Sequence, residues 1–399
     1  MMMKPNTVLW AVGLVMSSQA MAQSNVSLYG SLDLGLLSIS NTSSGVGYLP
    51  KASSPGGGSV QLKDGGIGNS NWGLKGEEDL GGGLKALFQL QGNLKANSGE
   101  SGGPNSSGGT SVFNQMATVG LGGEFGDIRI GRQVSPLYYA LASSDARGAR
   151  YFGSALTALV GLNSASGLYL GNNSNPAFGT IYNDNAVVYN APTWNNLSLS
   201  AAYAFGNTPG SQQANSQQTL AALYSANGLK LSAFYYNGYG NSAPAAAVLL
   251  GSAAKAEAAG FTANANTNRL ASLGGMYTRG AYTVSASWMG ARNPVQLNHL
   301  VGGADSLDLW SVGAAWRVAP LANLSAGYYR IKDNTHAGNT STQFALGLDY
   351  FLSRRTTLYV EAAQVNNKGA NMNTSPVYAS PVAANKSVSA WMAGLRHSF

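Results

Sequence analysis

The stretch NVSLYGSLDLGLLS, residues 25–38, alternates apolar and polar side chains along most of its length. Its apolar face contains Val26, Leu28, Gly30, Leu32, Leu34 and Leu36, and its polar face contains Ser27, Tyr29, Ser31, Asp33 and Gly35. A repeat of two residues is the period of a β-strand. A run of about ten such residues is typical of a strand that crosses an outer membrane, whereas most strands of soluble proteins are about five or six residues long. The stretch therefore favours a membrane barrel.

The same alternation recurs in LKALFQLQGNLK, residues 84–95, and in SAWMAGLRHSF, residues 389–399. In the second of these, Trp391, Leu395 and Phe399 share one face, and Met392 and Arg396 lie on the other. In a closed barrel the last strand pairs with the first, because closure leaves no backbone edge open to lipid. We therefore expect the chain to be held in a strand up to Phe399.

Short turns and long loops alternate along the chain. Short turns are indicated at residues 79–83, 122–126, 192–196, 226–228, 278–281, 320–323 and 353–356. Long loops rich in Gly, Ser, Asn and Ala are indicated at 41–69, 96–111, 238–266 and 367–385. Seven hairpins and two terminal strands predict an all-β protein, a 16-stranded antiparallel transmembrane β-barrel with short periplasmic turns and long outer loops.

The N-terminal sequence and the composition agree with an exported protein. Lys4, an apolar run and the sequence Ala20-Met21-Ala22 predict a signal peptide over residues 1–22, with the barrel over 23–399. Only 10% of the residues are charged, against roughly 25% in a typical soluble domain. With no cysteine, the chain has no disulfides and no thiolate metal site. No apolar run of 18 residues follows the signal, so we expect no transmembrane helix.

Other classes of function find little support in the sequence. The only histidines are His299, His336 and His397, and no catalytic triad or metal site can be assembled from them, so we expect no enzyme, cofactor or metal. No Lys/Arg run interleaved with aromatics indicates nucleic-acid binding. Two alternatives remain open. One is a β-rich surface adhesin, and the other is a substrate-specific channel in which Tyr138 and Tyr139 line a solute track.

Several motifs together resemble a known family. They are VSLYGSLDLGL (26–36), NWGLKGEEDLGGGLKALFQL (71–90), ATVGLGGEFGDIRIGRQ (117–133), NAVVYNAP (185–192) and GLRHSF (394–399). The sequence resembles the general trimeric porins of Gram-negative outer membranes, of the betaproteobacterial and neisserial type. The resemblance implies a homotrimer in the outer membrane, in contact with lipid and lipopolysaccharide, that lets small hydrophilic solutes and ions diffuse passively. It also implies that Phe399 is an assembly signal for the barrel-insertion machinery.

The resemblance further implies a pore constriction where the third outer loop, roughly Ser135 to Asn183, folds into the lumen. For residues 154–162, one interpretation is a short helix folded against the inner wall, and the other, which we prefer for the apolar residues, is packing within the loop alone. The loop supplies Asp145, Arg147 and Arg150, although an alternative places both arginines on solvated loop tips. On the wall, Lys75 and Arg132 match basic positions of the family, and the polar face of the first strand adds Asp33.

The strand that contains Arg132 raises a conflict of geometry. Strict alternation points Arg129 inward but Arg132 outward, beside Ile128 and Ile130. Because a lipid-facing Arg costs roughly 2–4 kcal/mol near the bilayer midplane, we expect a bulge at Gly131 that turns Arg132 inward.

The basic cluster at the constriction is thinner than in the family. Asn71 and Gln115 stand where relatives often carry Arg, although we still place both at the constriction. The loop contains few carboxylates, and the formal net charge of the chain is +7. Weak to moderate selectivity for anions is therefore expected.

Overall fold

The computed structural model describes residues 25–104, 110–171, 177–265 and 267–399. The predicted signal peptide lies outside these ranges. Within them, sixteen antiparallel strands form a closed barrel, as the sequence predicts. The strands are β1 (Asn25–Ser43), β2 (Pro55–Asp64 and Asn71–Gly81), β3 (Leu84–Asn93), β4 (Met116–Gly123), β5 (Gly126–Val134), β6 (Tyr182–Asn190), β7 (Leu197–Ala204), β8 (Gln217–Ala226), β9 (Leu229–Tyr239), β10 (Thr267–Arg279), β11 (Tyr282–Arg292), β12 (Ser306–Ala319), β13 (Ala322–Asp333), β14 (Thr340–Phe351), β15 (Thr356–Lys368) and β16 (Ser387–Ser398).

The seam of the barrel joins the last strand to the first. In β1 and β16, Ser31 pairs with Ser398 and Ile39 with Ala390, in continuous antiparallel register. Phe399 extends this pairing, since its backbone N–H and C=O each hydrogen-bond to Gly30, at 3.0 and 3.1 Å.

Strand β2 corrects the prediction of a long loop over 41–69. Residues 41–43 and 55–64 of that range are strand, because β1 continues to Ser43 and the first segment of β2 spans Pro55–Asp64. Both segments of β2 pair with β1, and residues 65–70 bulge between them. The loop that remains after β1 is therefore short.

The two faces of the strands differ as the alternation predicts. In β14, Phe344 and Leu346 point outward and are 48% and 47% exposed, ready to be covered by lipid. Their neighbours Gln343 and Ala345 point inward and are almost fully buried. The burial of inward side chains shows that part of the barrel interior is filled.

Helices occur in the connections between strands. In the third loop lie α1 (Pro136–Ser143) and α2 (Ala155–Ala165), and between β9 and β10 lie α3 (Ala243–Leu250) and α4 (Ala253–Ala258). Short 3-10 turns span Pro50–Ala52 and Asn298–Val301, and Gly103–Pro104 pairs with Thr110–Ser111 in a small hairpin. Among the described residues, no helix is long and apolar enough to span a membrane.

The third loop fills the interior. Leu137 and Leu141 of α1 and Leu156 of α2 are buried in one cluster with inward residues of the wall. Those wall residues include Phe234, Leu270, Met289, Leu307 and Ile331. Of the two interpretations of residues 154–162, the helix is present as α2, which begins at a Ser154 cap whose hydroxyl accepts the Leu156 N–H at 3.1 Å. The loop thus folds inward against β9–β13.

Candidate functional site

Inward glycines let the third loop lie directly on the backbone of the wall. A Cβ added to Gly274 of β10 would lie 2.5 Å from the Cβ of Ser144. One added to Gly327 of β13 would lie 2.8 Å from the Cδ of Arg147. Since real Cβ atoms do not approach so closely, the absence of side chains at these positions creates the space that the loop occupies.

Arg147 is buried between the loop and this wall. Its Nη2 donates to Glu361 of β15 at 2.5 Å and to the Phe152 carbonyl at 3.1 Å. Its Nη1 donates to the Ser325 hydroxyl at 2.9 Å, and its Nε to the Gly153 carbonyl at 2.6 Å. None of its side chain is exposed. The guanidinium therefore ties the loop to two strands and back to itself.

Arg150 makes a second anchor beside it. Its Nη1 and Nη2 each donate to Asp349 of β14, at 3.1 and 3.0 Å, and Nη1 also contacts Glu361. Burial alone would lower the pKa of Arg150, but the carboxylates of Glu361 and Asp349 raise it. Arg150 is charged throughout the ordinary pH range, and its ion pairs persist.

Asp145 organises the loop itself. Its carboxylate accepts hydrogen bonds from the backbone N–H groups of Arg147, Ala149 and Ala155, and from the Tyr329 hydroxyl at 2.9 Å. Buried with these donors, it caps the start of α2 instead of opposing the arginines across water.

These placements correct the predictions for the loop. Arg147 and Arg150 do not lie on solvated loop tips, because Glu361 and Asp349 of the wall bind them. Asp145 and Arg147, expected at the constriction, are shut away from water, and Arg150 is only 11% exposed. Sequence reasoning missed Glu361 and Asp349. The inward alternation of β14 was the available signal for Asp349.

The wall formed by β1–β5 and β16 presents polar groups instead. Lys75 of β2 is exposed, and its Nζ lies 5.3 Å from the ring centroid of Tyr29. Within the described residues Lys75 makes no ion pair. The Tyr29 hydroxyl donates to Gln91 at 2.8 Å and accepts from Gln89 at 2.7 Å. The ammonium group thus stands above a neutral, hydrogen-bonded surface.

Arg396 of β16 was not singled out from the sequence, although alternation placed it on the inner face. Its Nη1 lies 3.2 Å from Asp33, and its Nη2 donates to Ser31 at 2.8 Å. Arg396 is 25% exposed, whereas none of the Asp33 side chain is. The water-facing member of this pair is the cation.

Asp33 lies behind Arg396 in a site built by backbone and side chains. The bulge of β2 directs the N–H groups of Gly66, Ile67 and Gly68 at its carboxylate, at 3.1, 2.9 and 2.9 Å. The Tyr359 hydroxyl donates to it at 2.7 Å. Asp33 therefore positions Arg396 and is not itself offered to solutes.

The two arginines of β5 lie on either side of the predicted bulge. The register with β6 shifts between Gly131 and Gln133, and Gly131 has φ 122°, which glycine tolerates best. Arg129 is one-third exposed and pairs with Asp127 at 2.8 Å. Arg132 is turned inward and buried, paired with Asp184, with its Nε donating to the Asn114 carbonyl at 2.6 Å.

The two amides expected at the constriction belong to a hydrogen-bonded chain. Asn71 donates to Ser31 at 3.4 Å and to the Asn69 carbonyl at 3.3 Å. Gln115 is buried, where it accepts from Gln91 at 2.5 Å and donates to Asn93. These groups supply polarity but no charge.

Helix α1 faces this wall across the interior. Tyr139 is 52% exposed, and its neighbour Tyr138 is half-buried. Burial raises the pKa of Tyr139 while the charge of Arg129 opposes the rise, and Arg396 has the same effect on Tyr138. Each tyrosine is thus within electrostatic range of a wall arginine. The open route lies between α1 and the basic wall.

A closed barrel with a loop packed on one inner wall and polar, basic groups on the other defines a channel. No cluster of three or more His, Cys, Asp or Glu side chains able to hold a metal ion occurs in the described part of the chain.

Comparisons with known proteins agree with this class. Residues 7–370 match the family described as Gram-negative porin. The chain is 29% identical to outer membrane porin protein 32 of Delftia acidovorans, over the full length of both. It is 26% identical to the major outer membrane protein P.IB of Neisseria gonorrhoeae, covering 88% of this chain and 91% of the relative.

Solved structures share the fold. An anion-selective porin from Comamonas acidovorans superposes with a TM-score of 0.70 at 23% identity, covering 94% of this chain and all of that one. The trimer form of OmpT from Vibrio cholerae superposes with a TM-score of 0.61 at 17% identity, covering 94% and 99%. The chain belongs to the Gram-negative porin family. It is a general diffusion porin of the outer membrane.

Proposed function

We propose that this porin prefers anions, weakly to moderately, and that its constriction lies between α1 and the wall that carries Lys75, Arg129 and Arg396. The observation that carries the proposal is the exposure of the charges on that wall. Lys75 is exposed without an ion pair in the described structure, and the guanidinium of Arg396 screens a fully buried Asp33. Behind them, Arg132 and Gln115 are buried in the wall, and Asn71 is half-buried.

The expected preference is modest because water and salt weaken it. A unit charge about 8 Å from a passing ion, at a dielectric of about 80, contributes roughly 0.5 kcal/mol, or about a twofold bias. Screening over about 8 Å at physiological salt confines that bias to the constriction. Passage is passive, the permeant species are small hydrophilic solutes and ions, and the chain catalyses no reaction.

The test is the reversal potential of the purified channel in a planar bilayer under a KCl gradient. The wild type should give an anion-favouring potential, and Lys75→Gln should lower the chloride-to-potassium permeability ratio roughly twofold. Lys368→Gln is the matched control, because Lys368 is exposed on the outward face of β15 and makes the same change of charge. A cation-favouring wild type, or equal shifts in both variants, would contradict the proposal.

We further propose a homotrimer, supported by the likeness to a porin whose structure is described as a trimer form. The proposed surroundings are outer-membrane lipid and lipopolysaccharide. Phe399, 44% exposed beside Gly30, is proposed to be read by the barrel-assembly machinery before the seam closes. Light scattering of the detergent-solubilised protein distinguishes a trimer from a monomer.

A further inference from the structure

We propose that a pocket on the outer side of the constriction binds small aromatic carboxylates before they enter the channel. The pocket has a volume of about 540 Å³, within the range of small-molecule sites. It is formed where four outer loops meet the inner faces of β1 and β2. The inference requires a channel but not the anion preference proposed above.

Its aromatic lining comes from three different loops, and the half-buried rings of Tyr151 and Tyr378 are backed by the buried rings of Tyr48 and Tyr169. Tyr48 follows β1, Tyr151 and Tyr169 belong to the third loop, and Tyr378 belongs to the last. Tyr48 stacks on Tyr169 with centroids 5.2 Å apart, and Tyr151 contacts Tyr378 at 4.4 Å. Rings held in this way lose little conformational freedom when a flat ligand packs on them.

The charge of the pocket comes from Lys63, which is half-buried in β2. Among the described residues its ammonium makes no ion pair or hydrogen bond. The adjacent Asp64 makes no ion pair with it within contact distance, and its carboxylate accepts the N–H of Ala96 at 3.0 Å. Lys95, on the rim, pairs with Glu100. Lys63 is therefore the group that gains from an incoming anion.

Backbone strain marks the same place. Ala379, exposed on the rim beside Tyr378, has φ 55°, a left-handed conformation that L-residues adopt at a cost. The Tyr378 N–H donates to the Tyr151 carbonyl at 2.8 Å, which fixes the two ring-bearing loops to each other.

The side-chain amides of Asn69 and Asn97 also line the pocket. They add hydrogen-bonding capacity beside the ammonium and the rings. A ligand that satisfies all three features carries a carboxylate, a flat ring and a hydroxyl group. 4-Hydroxybenzoate is the simplest probe with these parts.

The experiment measures block of single-channel current by 4-hydroxybenzoate added on the loop side of a planar bilayer. Saturable block is expected, and Lys63→Gln should raise the half-blocking concentration about tenfold, as loss of a charge-assisted contact implies. Lys368→Gln should leave that concentration unchanged. Tyr378→Leu should weaken the block severalfold, while Tyr378→Phe, which keeps the ring, should not.

Two further probes separate the parts of the proposal. Gluconate carries charge and hydroxyls without a ring, and benzyl alcohol carries a ring without charge, so neither should give saturable block. Equal block by gluconate, no block by 4-hydroxybenzoate, or an unchanged Lys63→Gln variant would overturn the proposal. An anion-favouring channel that shows no block contradicts the pocket alone, and a blocked channel with a cation-favouring potential contradicts the anion preference alone.

Discussion

The two inner walls of the barrel use the same kinds of charge for different purposes. Where the third loop is anchored, Arg147 and Arg150 are enclosed with Glu361 and Asp349, and every charge has a partner. On the wall formed by β1–β5 and β16, Lys75 is exposed, and the carboxylate behind Arg396 is hidden. Buried pairs hold structure strongly once formed, whereas exposed charges contribute little stability but act on passing ions. Stability and the proposed selectivity are therefore assigned to different parts of the inner wall.

The largest loss of stability should come from breaking the buried ion pairs that anchor the third loop. Glu361→Gln leaves two buried guanidinium groups with one fewer carboxylate, and removal of one partner of a buried pair costs about 3–5 kcal/mol. Unfolding in urea, followed by tryptophan fluorescence, should show that loss, and single-channel records should become noisier as the loop loosens. Glu78→Gln, at an exposed position in β2, is the control. Wild-type stability and quiet current in Glu361→Gln would refute this account of the anchor.

A smaller loss is expected from filling the space under the loop. Gly327→Ala places a methyl group 2.8 Å from the Cδ of Arg147, and overpacking of this kind costs about 1–3 kcal/mol. The same urea titration measures it. Gly58→Ala is the matched change, since a Cβ there meets only one atom, at 3.7 Å. If both variants unfold alike, close packing at Gly327 does not hold the loop.

The smallest change in stability should come from the wall formed by β1–β5 and β16. Arg396→Gln removes a partly exposed charge, so the stability should fall by less than about 1 kcal/mol. The chloride-to-potassium permeability ratio should nevertheless drop roughly twofold, because Asp33 is no longer screened. A large loss of stability with an unchanged reversal potential would reverse the roles given to the two walls.

The barrel followed from the sequence because strand alternation and turn chemistry are local. Spacing alone assigns Phe344 to the outer face and Gln343 to the inner face. An irregularity at Gly131 was predicted because Arg132 would otherwise face lipid. The loop predicted over 41–69 was wrong for residues 41–43 and 55–64, because a strand interrupted by the Gly-rich bulge at 65–70 resembles a loop in sequence.

The site was less accessible to sequence reasoning because its contacts are long-range. Arg147 and Glu361 are 214 residues apart, and no local pattern indicates that they meet. Burial also decides which charges matter, and a sequence shows charge without exposure. Arg396 could have been found from alternation, whereas the concealment of Asp33 behind it depends on the bulge of β2.

The site around Asp33 also constrains the order in which the barrel assembles. It joins β1 and the bulge of β2 to Tyr359 and Arg396, and the contact between Arg396 and Ser31 spans 365 residues of sequence. Contacts of such high sequence separation carry a large loop-closure entropy and form slowly. The part of the wall that contains Arg396 and Asp33 is therefore assembled only when the barrel closes. The proposed ion preference should therefore appear in full only after β1 and β16 have paired in register. Electrical recordings during insertion can show when that pairing is complete.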